Sequence, residues 1–145
     1  MSTVLDVLVR AVGRVITGVR RVYFEFGGEL DRSRGALELT FDDGSVVVLD
    51  SGADGELMRA DEVAWHDPFE GHLDEENRAF IAECGKWTAV DARDESRFAA
   101  LIGRRVKAVQ AIENEGGRLV GARYRVGPHD IRVEVIADDL FVDGS

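Results

Sequence analysis

The stretch Val12-Gly13-Arg14 decides the expected fold, because a close copy of it, Ile102-Gly103-Arg104, returns later in the chain. A second matching pair, Ala53-Asp54 and Ala137-Asp138, lies closer together in the chain, so the second copy is the shorter one. Self-similarity within one chain is typical of repeated structural units, and we predict that this chain contains one unit twice. Chance similarity in a chain rich in valine, glycine and arginine is the alternative.

Each copy begins with a short amphipathic segment that ends at a glycine, and periodic apolar residues closed by glycine are typical of a helix. Residues 15–24 are rich in β-branched and aromatic types, which favour a strand. The spacing in residues 106–112 fits a helix or a strand, and the first copy favours the strand. Glycine pairs at 27–28 and 116–117 then predict hairpins, with further strands over 45–50 and 131–136.

These patterns predict an α+β fold, a tandem duplication of a helix plus a three-stranded antiparallel β unit, joined by an acidic insert with one helix. The repeats are expected over residues 3–58 and 93–143. A connector over residues 59–92 separates them, and we expect one compact domain over residues 1–145.

The connector carries its own helix signals. Asp74 is suited to the N-cap position and Gly85 to the end of the helix. Cys84 falls on the apolar face of this helix, where a cysteine is usually buried and inert. Residues 86–90 have the composition of a strand, which we expect at the edge of a sheet.

Charge is distributed unevenly along the chain, which carries a net charge of −10. Residues 54–76 contain nine carboxylates and only one basic side chain, Arg59. A negative field of this kind repels nucleic acid and anionic lipid and attracts a basic partner. The single cysteine and the lack of a long apolar run favour a cytoplasmic protein with no disulfide and no membrane segment.

Motifs for enzyme chemistry are missing from the sequence. It contains no nucleophile elbow, no phosphate-binding loop and no dinucleotide fingerprint, so we expect neither catalytic residues nor a cofactor. The loop over 65–72, with two histidines and two carboxylates, lacks the spacing of a metal site. Residues 50–61 resemble a calcium loop, but Gly52 stands where a ligand is required. We therefore predict no metal.

Aromatic side chains accompany the acidic residues of the connector, and tryptophan surrounded by charge is typical of binding interfaces. An acidic rim would also speed the capture of a basic protein. The residues expected to bind such a partner are Asp61, Glu62, Trp65, His66, Asp67, Glu70, Glu75 and Glu76. Alternatively, Trp65 and Trp87 only pack the connector onto the sheet.

In composition and size the chain resembles the bacterial antitoxin and immunity proteins that mask cationic nuclease toxins. The resemblance implies a non-enzymatic protein that binds a basic partner, and it implies no fold, because such proteins span many folds. A small-molecule or metal site between the two copies is the alternative, lined by His66, Asp67, His72 and His129. A homo-oligomer formed through exposed strand edges is a third possibility.

Overall fold

Nine β-strands make up most of the computed structural model, which describes residues 3–52 and 57–144. The strands are β1 Ile16–Phe26, β2 Glu29–Phe41, β3 Val46–Ser51, β4 Met58–Asp61, β5 Lys86–Asp91, β6 Val106–Glu113, β7 Leu119–Val126, β8 His129–Ile136 and β9 Asp139–Gly144. They form two antiparallel sheets, one with the order β4-β3-β2-β1-β5 and one with the order β6-β7-β8-β9. Short hairpin turns join most neighbours, as antiparallel pairing allows.

Three short α-helices accompany the sheets in the described residues: α1 Val4–Arg10, α2 Glu75–Cys84 and α3 Ser96–Ala99. Thr3 begins α1 with a capping box, in which its hydroxyl accepts from the Asp6 N–H. The predicted ends of α2 are confirmed. The Asp74 carboxylate accepts from the Asn77 N–H, and Gly85 follows the helix with a φ of 76°.

The predicted fold class, an α+β tandem duplication of helix plus three-stranded units, is wrong. The described residues are mostly β, in one five-stranded and one four-stranded sheet, and the helices are short. Residues of the expected connector form two strands of the first sheet, β4 and β5, the latter at the edge as predicted. Edge strands pair along one side only and need little apolar patterning, so Met58–Asp61 gave no strand signal. Ala53-Asp54, one of the matching pairs, lies outside the described residues.

Each of the two matching stretches, Val12-Gly13-Arg14 and Ile102-Gly103-Arg104, hydrogen-bonds to the start of the strand that follows the other. Gly13 N–H donates to the Val106 carbonyl at 2.8 Å, and Gly103 N–H donates to the Ile16 carbonyl at 2.7 Å. Two further bonds, Val106 N–H to Arg14 O and Ile16 N–H to Arg104 O, are both 2.9 Å long. These reciprocal bonds join the start of β1 to the start of β6 and hold the two sheets together.

The main hydrophobic core lies between the sheets and takes side chains from both. Its fully buried members include Leu8 of α1, Phe98 of α3, Leu37 and Leu49 of the first sheet, and Ala122 and Val133 of the second. Because side chains alternate across a strand, β1 directs Val19 to this core and Val22 to the opposite face. A second, smaller cluster of Val22, Ala36 and Val48 covers that outer face.

Candidate functional site

Trp65 fastens the acidic connector to the outer face of the first sheet. Its backbone N–H donates to Glu38 at 2.8 Å, and its carbonyl accepts from Arg20 at 2.7 Å. Arg20 and Glu38 face each other on neighbouring strands and form a bidentate ion pair at 2.6 and 2.8 Å. Glu38 is buried, and this network satisfies its carboxylate. Trp65 is therefore fixed in place by two strands.

A second anchor holds the loop after Trp65. The Asp67 carboxylate is paired with the Lys86 ammonium of β5 and accepts a hydrogen bond from the Phe69 N–H at 2.8 Å. Partial burial alone would raise the pKa of Asp67, but the bonds from Lys86 and Phe69 outweigh burial and lower it. Asp67 is thus ionised and already neutralised by Lys86.

Two more of the predicted partner-binding acids already form ion pairs with basic side chains of the chain itself. Glu62 forms an ion pair with Arg10 at 2.6 Å, and Asp61 forms one with Arg59 at 2.9 Å. By contrast, Glu70, Glu75 and Glu76 are exposed and have no ion-pair partner among residues 3–52 and 57–144. Among the predicted partner-binding acids, these three glutamates therefore carry the charge that no basic side chain neutralises.

A cavity of about 500 Å³ opens beside this acidic surface, between the outer face of the first sheet, helix α2 and the β8–β9 hairpin. Its walls come from six parts of the chain. The residues that line it are Val22, Phe24, Gly35, Ala36, Asp50, Ser51, Trp65, Pro68, Phe69, Phe80, Cys84, Gly85, Lys86, Trp87, Asp138, Asp139 and Leu140. We call this feature the aromatic cavity. Its volume lies within the range of ligand-binding pockets.

Two aromatic pairs form much of the wall. Phe24 and Trp87, on the paired strands β1 and β5, meet edge to face with ring centres 5.4 Å apart. Phe69 and Phe80 meet at 6.2 Å between the loop and α2. Phe80 is 52% exposed and Trp87 is 40% exposed. Large apolar side chains left open to solvent around a concave surface are typical of binding sites, which makes the aromatic cavity a candidate.

Three carboxylates supply the polar part of the cavity. Burial raises the pKa of Asp50, and the bond from the Ser51 N–H and the charge of Arg59 offset this only in part. Asp139 is paired with Arg34 at 3.0 Å. Asp138 is exposed and has no partner within the part of the chain that the structure describes. The lining thus contains three carboxylates and one ammonium group, that of Lys86, which Asp67 already neutralises.

The β8–β9 hairpin places Asp138 at this cavity in an uncommon backbone conformation. Ala137 and Asp138 have φ values of 49° and 76°, and they are the two described non-glycine residues with positive φ. Two-residue hairpin turns require such angles and normally use Asn-Gly. Ala137 and Asp138 therefore adopt the left-handed backbone conformation without a glycine, at the edge of the cavity.

The predicted histidine cluster is not assembled. His66 is exposed beside Trp65, the His72 carbonyl accepts from the Asn77 side chain, and His129 lies in β8 opposite Val126. Across the described ranges, no three histidine, cysteine or acidic side chains are grouped to hold a metal ion. The calcium-like loop over 50–61 lies partly outside those ranges.

Cys84 was predicted to be a buried, inert side chain, and this prediction is wrong. It is exposed and lines the aromatic cavity, because α2 buries none of its residues completely. The apolar face of α2 therefore covers a cavity and not a packed core. Sequence patterning cannot distinguish these two situations, since both require apolar residues on one side of a helix.

Phe24, Asp50 and Asp138 are among the cavity residues that the sequence analysis did not assign to a site. They lie in two strands and one hairpin, and only the tertiary fold brings them together. Asp138 alone carried a usable signal, because Ala-Asp is an unusual pair in a two-residue hairpin turn. Aspartate is also common in ordinary turns, so its presence there does not by itself indicate a binding site.

Within residues 3–52 and 57–144, no helix has the length and apolar character needed to cross a lipid bilayer. No protein-family model matches the chain, and neither a curated protein nor a solved structure matches it significantly.

Proposed function

We propose that this chain is a non-enzymatic, cytoplasmic binding protein whose acidic connector binds a basic protein. The observation that carries the proposal is the group of exposed glutamates without a partner, Glu70, Glu75 and Glu76, next to the exposed ring of Phe80. Acidic side chains around aromatic anchors provide both long-range attraction and a buried contact for a partner.

The ion pairs within the connector refine which residues take part. Asp61, Glu62 and Asp67 are expected to stabilise the connector through Arg59, Arg10 and Lys86. Trp65, whose backbone is fixed to the sheet, is expected to present a rigid aromatic surface. His66 lies beside it and extends that surface. Glu70, Glu75 and Glu76 then supply most of the electrostatic attraction.

The test uses the purified chain as bait in lysate of its native host, at low and at high salt. We expect the captured proteins to be basic and to be lost between about 0.05 and 0.5 M NaCl, because salt screens exposed charges over this range. The triple variant Glu70→Gln, Glu75→Gln, Glu76→Gln should capture much less at low salt. The affinity of the principal captured protein for both baits is then measured directly.

A matched control removes three carboxylates elsewhere. Glu29→Gln, Glu113→Gln and Glu115→Gln change the net charge equally, but these residues are exposed near hairpins outside the connector. Equal capture by the wild type and the connector variant, with the same salt dependence, would contradict the proposal. Equal losses in both triple variants would contradict it as well, because the effect would then reflect net charge alone.

Small-molecule binding is a second candidate function, and the aromatic cavity of about 500 Å³ is the observation that favours it. It predicts that a library of small amines or aromatic compounds contains ligands that raise the melting temperature. Such ligands should lose their effect when Trp87→Ala opens the wall of the cavity. If the chain instead binds a basic protein, uncharged compounds should not raise the melting temperature to a comparable extent.

A further inference from the structure

We propose that the aromatic cavity binds one positively charged side chain, an arginine or a lysine, of the basic partner. This inference rests on the proposed function and identifies where the partner is anchored. The aromatic walls and the charge balance of the cavity support it, and the β8–β9 hairpin explains how Asp138 is held at the edge of the cavity.

The aromatic walls suit a cation on an apolar stem. Trp65, Trp87 and Phe24 line the cavity on the sheet side, and Phe69 and Phe80 line it on the helix side. A guanidinium or ammonium group is attracted to the face of an aromatic ring, and tryptophan is the strongest acceptor. The methylene stem of arginine or lysine would cover the remaining apolar lining, including Val22 and Leu140.

The charged residues that line the cavity favour a bound cation over a bound anion. Lys86, the one basic residue of the lining, is already paired with Asp67. Of the three lining carboxylates, Asp139 is paired with Arg34 at 3.0 Å and Asp50 with Arg59 at 3.7 Å, whereas Asp138 has no partner among the described residues. A cation that entered the cavity would therefore meet an available carboxylate at Asp138.

The hairpin conformation fixes the position of Asp138. Glycine would adopt a φ of 76° without strain, yet this turn places a carboxylate there. Aspartate is one of the few other residues that tolerate this left-handed conformation, so the turn holds Asp138 without a bulky neighbour or a bound group to force it. Its effect here is to hold the Asp138 carboxylate at the edge of the aromatic cavity.

Cys84 offers a direct measurement of occupancy, because it is the only cysteine of the sequence, is exposed and lines the cavity. The experiment follows the rate at which N-ethylmaleimide, an uncharged reagent, modifies Cys84. The probe is the blocked tripeptide Gly-Arg-Gly, and its control is the same peptide with citrulline, which has the shape of arginine and no charge. We expect the arginine peptide, and not the citrulline peptide, to slow modification.

The variant Asp138→Asn should weaken protection by the arginine peptide about fivefold, the effect of losing one solvent-exposed charge pair. Asparagine adopts the left-handed conformation as readily as aspartate, so the hairpin should remain intact. Glu115→Gln is the matched control, because it removes one exposed carboxylate from the β6–β7 hairpin. It should leave protection unchanged.

Several results would overturn the inference. Protection by neither peptide, or equal protection by both, would show that the cavity does not select a cation. Stronger protection by free agmatine than by the arginine peptide would show that the ligand is a small organic cation and not a partner's side chain.

These outcomes are separable from a failure of the proposed function. The connector variant Glu70→Gln, Glu75→Gln, Glu76→Gln tests capture of the partner, whereas Cys84 protection tests the cavity alone. Salt-dependent capture that persists in Asp138→Asn at full affinity would preserve the proposed function and overturn the cavity as the anchor.

Discussion

The guanidinium of Arg21 lies 4.9 Å from the centre of the Tyr23 ring, and both side chains are fully buried. Arg21 donates to the carbonyls of Gly35 and Ala36 at 3.0 and 3.2 Å. Its Nη1 atom has no hydrogen-bond partner, and no carboxylate forms an ion pair with it in the described part of the chain. Burial lowers the pKa of Arg21 accordingly. A buried charge of this kind costs stability.

We predict that Arg21→Met leaves the free energy of unfolding unchanged or raises it by up to about 2 kcal/mol, because an apolar side chain of similar size avoids the desolvation cost. Arg21→Ala should lower it by about 3 kcal/mol, because the alanine leaves a cavity against Tyr23 and Phe98. Urea unfolding measures both. If Arg21→Met is as destabilised as Arg21→Ala, the bonds to Gly35 and Ala36 outweigh the cost of burying the charge.

Gly35 is predicted to be intolerant of any side chain. A Cβ atom there would stand 1.8 Å from the Val22 carbonyl oxygen, and its φ is 137°. Gly35→Ala should lower the free energy of unfolding by about 3 kcal/mol or more, since both the backbone angle and the contact must change. Gly18→Ala is the control, because its nearest neighbour would be the Thr40 Cβ at 3.7 Å. A similar loss in both variants would refute the steric explanation.

Asp50→Asn is predicted to stabilise the protein at neutral pH. The pKa of Asp50 is raised in the folded state, so ionisation costs more there than in the unfolded chain. The cost is absent below the ordinary aspartate pKa of about 4 and grows as the pH rises through the folded-state value. The urea midpoint of the variant should therefore exceed that of the wild type at pH 7 and converge with it in acid.

Asp43→Asn provides a control of opposite sign for this experiment. Bonds from the Ser45 side chain and N–H lower the pKa of Asp43, so its ionised form stabilises the fold. That stability is present above the ordinary aspartate pKa and is lost as the pH falls through the folded-state value. The Asp43 variant should be the less stable one at neutral pH. Equal pH dependence in both variants would show that the two carboxyl groups do not differ as described.

The β8–β9 hairpin is predicted to become more stable when Ala137 is replaced by a residue that tolerates a positive φ. Ala137→Asn should raise the free energy of unfolding by about 0.5 kcal/mol, because asparagine tolerates the φ of 49° better than alanine. Asp138→Gly should also stabilise the hairpin, but it should reduce protection of Cys84 by the arginine peptide. Thermal unfolding and the modification assay measure the two effects. A loss of stability in Ala137→Asn would show that the turn is not strained.

The sequence predicted those strands whose composition is itself decisive. The β-branched residues of β1 and the alternating Ile131, Val133 and Val135 of β8 gave correct strands, because half-buried strands require such patterns. β9 was missed, although Leu140 and Val142 alternate inward, because the assumed repeat assigned three strands to each copy. The error thus came from an assumption about the whole chain and not from the local pattern.

The candidate site was only partly predictable for a different reason. Trp65 and the connector acids were predicted as partner-binding residues because aromatic and charged residues cluster along the chain, and this stays a prediction. Their pairing with Arg10 and Lys86 depends on the tertiary fold, which no local pattern reports. The same holds for Asp50 and Asp138, which lie far apart in the sequence and line one cavity.

The hydrogen bonds between Gly13 and Val106, and between Ile16 and Gly103, set an order for biosynthesis. A nascent chain cannot form them until Val106 has left the ribosome, so β1 can pair with β2 early while the junction between the two sheets forms later. Contacts between such distant segments slow folding. The early hairpins must therefore remain soluble alone, and the long acidic stretch translated between them and Val106 would repel neighbouring chains during that interval.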